Sequence, residues 1–125
     1  MTTIHANSTR DALSRLEVMI AMAGYDIPMR AVRQQIASAI QLIVQVRRLT
    51  GGRRKVVSVS EITGMEGELI QMHDLFVYEQ IGVDADGHTV GHFKCCGLRP
   101  RVTDRIEYRG ISLPADLFMA RRIDF

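Results

Sequence analysis

At 125 residues, with 46% apolar side chains, the chain has the material for a single globular domain with its own core. Sixteen Lys and Arg stand against fourteen Asp and Glu, and spread along the chain they leave a net charge of +2, too weak a field to select nucleic acid or a membrane. The longest apolar run, 18–23, is far shorter than the ~18 residues of a spanning helix, no basic-then-apolar leader opens the chain, and the adjacent Cys95 and Cys96 close no useful disulfide loop. A cytosolic protein with reduced thiols is the expectation.

Ser8 and Asp11 make the Ser-x-x-Asp form of a capping box ahead of Leu13, Leu16, Ile20 and Ala23 at helical spacing, and Gly24 closes the pattern. This predicts a first helix. Pro28 suits the first turn of a second, in which Met29, Val32, Ile36, Ala39, Ile40 and Ile43 recur every three or four residues opposite Arg30, Arg33 and Gln34, so the helix should run to about Ile40. The segments 42–49 and 55–62 are rich in β-branched residues and flank Thr50-Gly51-Gly52-Arg53, which predicts an antiparallel hairpin. A third strand over 68–80 is expected after a turn at Gly64-Met65-Glu66-Gly67, and a fourth over 88–94 after Asp84-Ala85-Asp86-Gly87. Beyond Gly97 and Pro100 a short helix is predicted over 102–109, ending at Gly110, and Pro114 opens a last turn through Phe118. The expected architecture is α/β: two N-terminal helices, an antiparallel β-meander and short C-terminal helices.

The stretch Thr2-Thr3-Ile4-His5-Ala6-Asn7-Ser8 sets an imidazole and a carboxamide immediately before a capped helix. His5 can donate one or two protons to a phosphate oxygen near neutral pH, while Thr3 and Asn7 can hydrogen-bond without carrying charge. The plainer alternative is a polar histidine in a connecting loop.

This stretch, continued by Arg10-Asp11-Ala12-Leu13-Ser14-Arg15-Leu16-Glu17, resembles the histidine box and following helix of the type II/IV secretion ATPases. The resemblance extends through 33–40, 42–45, Ser60-Glu61-Ile62-Thr63-Gly64-Met65-Glu66-Gly67 and 82–87 to Gly97-Leu98-Arg99-Pro100-Arg101 and 113–118, in the order of the tight-adherence (Flp-type) pilus branch. It implies the C-terminal half of a RecA-like core in a hexameric ring, cytoplasmic and held at the inner membrane through secretion or pilus platform proteins. Such motors bind ATP and magnesium and drive pilus assembly. His5 inherits the catalytic coupling position, with Thr3, Asn7 and Arg15 as its nucleotide-coupling neighbours.

One departure limits what is implied. No Gly-x-x-x-x-Gly-Lys-Ser/Thr loop occurs, and Gly51-Gly52-Arg53-Arg54-Lys55 has the wrong spacing, leads into strand-like sequence and lacks a hydroxyl after the lysine. Residues 1–125 then read as one C-terminal region starting at the histidine box, without Walker A or Walker B, with Met1 an internal methionine of a longer protein. Such a stretch is expected to hold no nucleotide firmly and to hydrolyse ATP negligibly. Without the preceding strands its helices should leave apolar surface partly uncovered, so that the chain self-associates or depends on the missing half.

No metal site is expected. His88 and His92, four apart on a predicted strand with Cys95 and Cys96 close behind, match no common zinc module. Asp84-Ala85-Asp86-Gly87 lacks the spacing of a calcium loop and reads as a turn. The cluster Arg47, Arg48, Arg53, Arg54 and Lys55 reads as a solvated face, with no nucleic acid expected as partner. Arg15 and Arg33 either reach an anion across a subunit boundary or pair with Glu17 and solvent. Two other functional readings stand beside the motor fragment: a non-catalytic oligomerisation or partner-binding module, and a basic nucleic-acid-binding domain.

Overall fold

The computed structural model describes residues 1–124, as α1 (Thr9–Met22), α2 (Met29–Ala39), β1 (Leu42–Arg48), β2 (Arg54–Glu66), β3 (Leu69–Val83), β4 (Thr89–Cys95), α3 (Val102–Tyr108) and β5 (Arg121–Ile123). Both N-terminal helices form where the capping residues place them. Ser8 is extended, with φ −156° and ψ 169°, and its Oγ accepts the Asp11 amide at 3.0 Å. Asp11 in turn accepts the Asn7 amide on Oδ2 at 2.9 Å, so one carboxylate fixes the residue entering the cap while the hydroxyl satisfies an orphan donor of the first turn. Gly24, at φ +81°, turns the chain away after the helix. Pro28 stands just before the first turn of α2, as its N-cap.

The five strands form an antiparallel meander in the order β1-β2-β3-β4-β5. The sequence places a turn at 64–67, but β2 runs on to Glu66 and the reversal falls at Gly67-Glu68. Gly64, at φ +136°, instead marks a register shift between Ile62 and Gly64, the bulge that a lone glycine in an alternating strand produces. β3 extends to Val83, three residues past its predicted end. At the C-terminus the expected turn forms at 115–118, held by Leu117 N to Pro114 O at 3.2 Å and Met119 N to Asp116 O at 3.1 Å. The plural C-terminal helices are corrected to α3 alone among the described residues, and a fifth strand follows the turn. That strand pairs only Arg121, Arg122 and Ile123 with Cys95, Lys94 and Phe93, too short and too charged to announce itself by alternation.

Strand alternation divides the sheet into two faces. On one, Ile62 and Ile70 pack with Leu13, Val32 and Ile36, flanked by Leu16, Ile20, Ile40, Ile43, Met65 and Met72. Each fully buried aliphatic side chain there stabilises the fold by about 1.5–3 kcal/mol. Glu61, one residue out of phase with Ile62, is 4% exposed and meets the start of α3: Oε1 accepts the Arg101 amide at 2.9 Å and Oε2 the Val102 amide at 3.0 Å. Arg101 Nη1 also donates to Thr63 O at 2.8 Å, Cys96 N to Leu75 O at 2.9 Å, and the Phe76 and Phe118 rings lie 6.1 Å apart. At the far end of the sheet Thr50 O accepts both the amide and the hydroxyl of Thr89 at 3.1 Å, which fastens the β1–β2 turn to the start of β4.

Candidate functional site

Residues 3–8 alternate in exposure: Ile4 and Ala6 are half-buried, while Thr3, His5 and Asn7 are exposed. That is the period of an extended chain with one side against the protein, and it sets the three sequence-predicted polar residues together on the open side. The segment is pinned by a side chain from the sheet. Gln45 of β1, 9% exposed, donates from Nε2 to the Ala6 carbonyl at 2.9 Å, with a longer bond to Val46 O at 3.4 Å, so its buried amide is satisfied. Ala6 and Asn7 are therefore fixed from two directions, by Gln45 and by the Asp11 carboxylate.

Below this junction the α1 start is fastened by polar groups. Thr9, 7% exposed, has its Oγ1 3.2 Å from the Ser60 hydroxyl, and Ser60 donates to Asp74 Oδ1 at 2.6 Å. Arg10 reaches across to β3, its Nη1 donating to Ile70 O at 2.7 Å. His5 itself makes no hydrogen bond or ion pair among the described residues, and its imidazole is open to an incoming group. Arg15 does not extend beside it. Its Nε lies 3.6 Å from Asp11 Oδ2, the oxygen that also accepts the Asn7 amide, so Arg15 touches the junction through that shared carboxylate. Arg33 takes the paired option: Nε donates to Glu17 Oε1 at 2.8 Å, Nη1 to Glu68 O at 3.3 Å, and the Glu17 bond holds the guanidinium above its ordinary value.

What this arrangement can do chemically is bind. A free imidazole, a threonine hydroxyl and an asparagine carboxamide on one open side offer neutral or charge-assisted donors to an oxyanion. The serine beside them, Ser8, is exposed but has its Oγ engaged by the Asp11 amide, while Ser60 is fully buried and engaged by Asp74, and Cys95 is fully buried. Cys96 is partly exposed, and burial pushes its thiol up, with the Asp74 carboxylate adding to the shift and Lys94 opposing it.

The histidine–cysteine pattern dissolves in the fold. His88 precedes β4 and belongs to the turn, while His92 lies in the strand, its Nε2 2.9 Å from Glu79 Oε2 and its Nδ1 buried without a partner. The expectation that both histidines lie on the strand predicted over 88–94 is thus corrected, because the β3–β4 turn takes one residue more than its sequence suggests and β4 begins at Thr89. His88 groups instead with Asp84 and Asp86, yet Asp84 Oδ1 already accepts the Asp86 amide at 2.9 Å and the His88 amide at 2.8 Å, the work of a turn-forming aspartate. Sequence reasoning missed Glu61, whose partners lie forty residues downstream, and Gln45, whose only signal is a polar residue on the inward phase of β1.

No known family profile matches the chain. Over 67 residues it is 31% identical to proteins of Mycobacterium tuberculosis strains CDC 1551 and H37Rv that bear the name "Putative conjugal transfer protein". Those 67 residues are 54% of this chain and 18% of the relatives, so the matched stretch spans under a fifth of the length of the curated proteins it resembles. Among the described residues no helix is long and apolar enough to cross a membrane.

Proposed function

We propose that the chain is the C-terminal part of a secretion or pilus-assembly ATPase, in which His5 senses the phosphates of a nucleotide held mainly by residues outside 1–125. The observation that carries this reading is the exposed, unpartnered His5 between two half-buried neighbours, pinned through Ala6 and Asn7 at the mouth of a capped helix. A sensor needs a free donor on a fixed backbone, and the junction supplies both. The similarity to proteins named for conjugal transfer supports a place in a secretion-type machine. On this reading the helices and meander belong to a RecA-like half-core of a hexameric ring, cytoplasmic and joined to the inner membrane by platform proteins. ATP and magnesium are ligands of the whole motor, and Thr3, Asn7 and Arg15 assist His5 at the phosphates.

Titrating the isotopically labelled chain with Mg-ATP tests the assignment. An amide shift confined to the residues around His5, abolished by His5→Ala, is the expected result; phosphate release stays at the no-protein blank throughout. A spectrum unmoved at saturating nucleotide counts against phosphate sensing. It favours the second reading, a non-catalytic oligomerisation or partner-binding module, which has its own support: Met19 and Tyr25 are 57 and 69% exposed around a groove formed with Leu16, Ile20 and Ile27 at the end of α1.

A further inference from the structure

The arginines of the β1–β2 hairpin have no role in the junction. Arg47, Arg48, Arg53 and Arg54 are exposed, and none of their side chains makes an ion pair or hydrogen bond among the described residues. The strand register sets Arg48 directly opposite Arg54 and Arg47 opposite Lys55. Like charges so placed repel and weaken a hairpin. Lys55 finds relief over the Tyr78 ring, 4.8 Å from its centroid; the arginines find none. Asp84 and Asp86, in the turn against which Gly51 packs, form no ion pair with them.

Composition hides how far the charge is segregated. Residues 42–60 hold five of the sixteen cations and no acid, so the remaining eleven face all fourteen acids and the rest of the chain carries −3. The molecule is polarised, with a +5 hairpin at one end of its sheet. A polyanion at this end relieves two repulsive pairs at once.

A second feature selects among polyanions. Leu42, Val44 and Val46 alternate outward on the side of β1 that ends in Arg48 and are 41, 55 and 52% exposed, while Ile43 and Gln45 take the inward phase. An apolar stripe running into a pair of arginines suits the headgroup boundary of a bilayer, where guanidinium groups meet phosphodiesters and short aliphatic chains enter the acyl border. Nucleic acid offers the same phosphates but gains nothing from the valines. The hairpin has no aromatic ring to stack on a base, and its one carboxamide, Gln45, is spent on Ala6.

We propose that the outer face of the β1–β2 hairpin is a docking surface for an anionic phospholipid bilayer, with Arg48 and Arg54 at the headgroup phosphates and Leu42, Val44 and Val46 at the acyl border. This assignment stands apart from the phosphate-sensing role of His5 and does not depend on it. The negative remainder of the chain is repelled by the same surface, which orients the molecule hairpin-first.

Flotation of the 125-residue chain with vesicles of phosphatidylcholine alone, and of phosphatidylcholine mixed with phosphatidylglycerol, is the test. Binding to the mixed vesicles only is expected, weakening by roughly fivefold for each arginine removed in Arg48→Gln and Arg54→Gln and retained in the Arg48→Lys/Arg54→Lys pair. Val44→Ser/Val46→Ser, at exposed positions that leave the core intact, is expected to weaken vesicle binding severalfold without changing retention on a duplex DNA column. Equal binding to neutral vesicles, or none to anionic ones, overturns the proposal. So does DNA retention at physiological salt that exceeds vesicle binding and is lost with the arginines but indifferent to the valines, which assigns the hairpin to nucleic acid.

Discussion

Across the sheet from one another, the α1–α2 pair and the segment that begins at Arg101 are fastened by apolar and polar contacts in different proportion. The helices lie on Ile62 and Ile70 chiefly through the aliphatic side chains of Leu13, Val32 and Ile36, with polar ties from Thr9, Arg10 and Arg33 at the margin of that cluster. The C-terminal segment is tied chiefly by named hydrogen bonds, from the Arg101 and Val102 amides to Glu61, from the Arg101 side chain to Thr63 and from Cys96 to Leu75, with the Phe76–Phe118 contact beside them. Apolar burial scales with area and tolerates small shifts; a buried carboxylate facing two amides does not. The helical side is therefore expected to fail gradually and globally, and the C-terminal side locally and all at once.

Four measurements sharpen or break that contrast. Ile62→Ala empties the centre of the aliphatic cluster and is expected to lower global unfolding free energy by about 3 kcal/mol in urea titration. Glu61→Ala strips two amides of their acceptor and is expected to cost about 2 kcal/mol. Its signature is regional: amide exchange should quicken across 97–120 while 9–40 keeps its protection. Uniform loss across both segments in the Glu61 variant would falsify the division into two differently held faces. Ser8→Ala removes the α1 cap and is expected to cost about 1 kcal/mol, with exchange quickening at the Asp11 amide first. The smallest effect concerns the thiols. Because burial raises Cys96, the folded state favours its neutral form, so its contribution is complete below the ordinary value of 9.0 and is lost as pH rises through the folded value. At pH 8 iodoacetamide should label Cys96 more slowly than a free thiol and leave Cys95 unlabelled until the chain unfolds, as mass spectrometry can follow.

The elements that local chemistry determines were legible in the sequence. Ser8 with Asp11 announces α1, the apolar spacing from Met29 to Ile40 announces α2, and Thr50-Gly51-Gly52-Arg53 announces the first hairpin, because caps, faces and turns are written within four or five residues. Gly64 was misread as a turn since a glycine in a strand signals either a reversal or a bulge, and only the partner strand decides which. β5 escaped because its three residues gain their strand character from β4. In the candidate site, the exposed trio Thr3, His5 and Asn7 follows from the segment preceding a cap. The clasp by Gln45 and the diversion of Arg15 to Asp11 follow from tertiary placement, which spacing along the chain does not encode.

Glu61 has a consequence for the order in which the molecule assembles. Its two amide partners lie forty and forty-one residues downstream, beyond β4. During synthesis the helices can close over Ile62 and Ile70 while the carboxylate behind them is still hydrated, and its desolvation waits for Arg101 and Val102 to emerge. A ribosome paused between the end of β4 and α3 therefore holds an unfinished sheet with one face sealed and the other wet, and the second face closes only when a helix arrives at a carboxylate that has been waiting for it, with β5 still to follow.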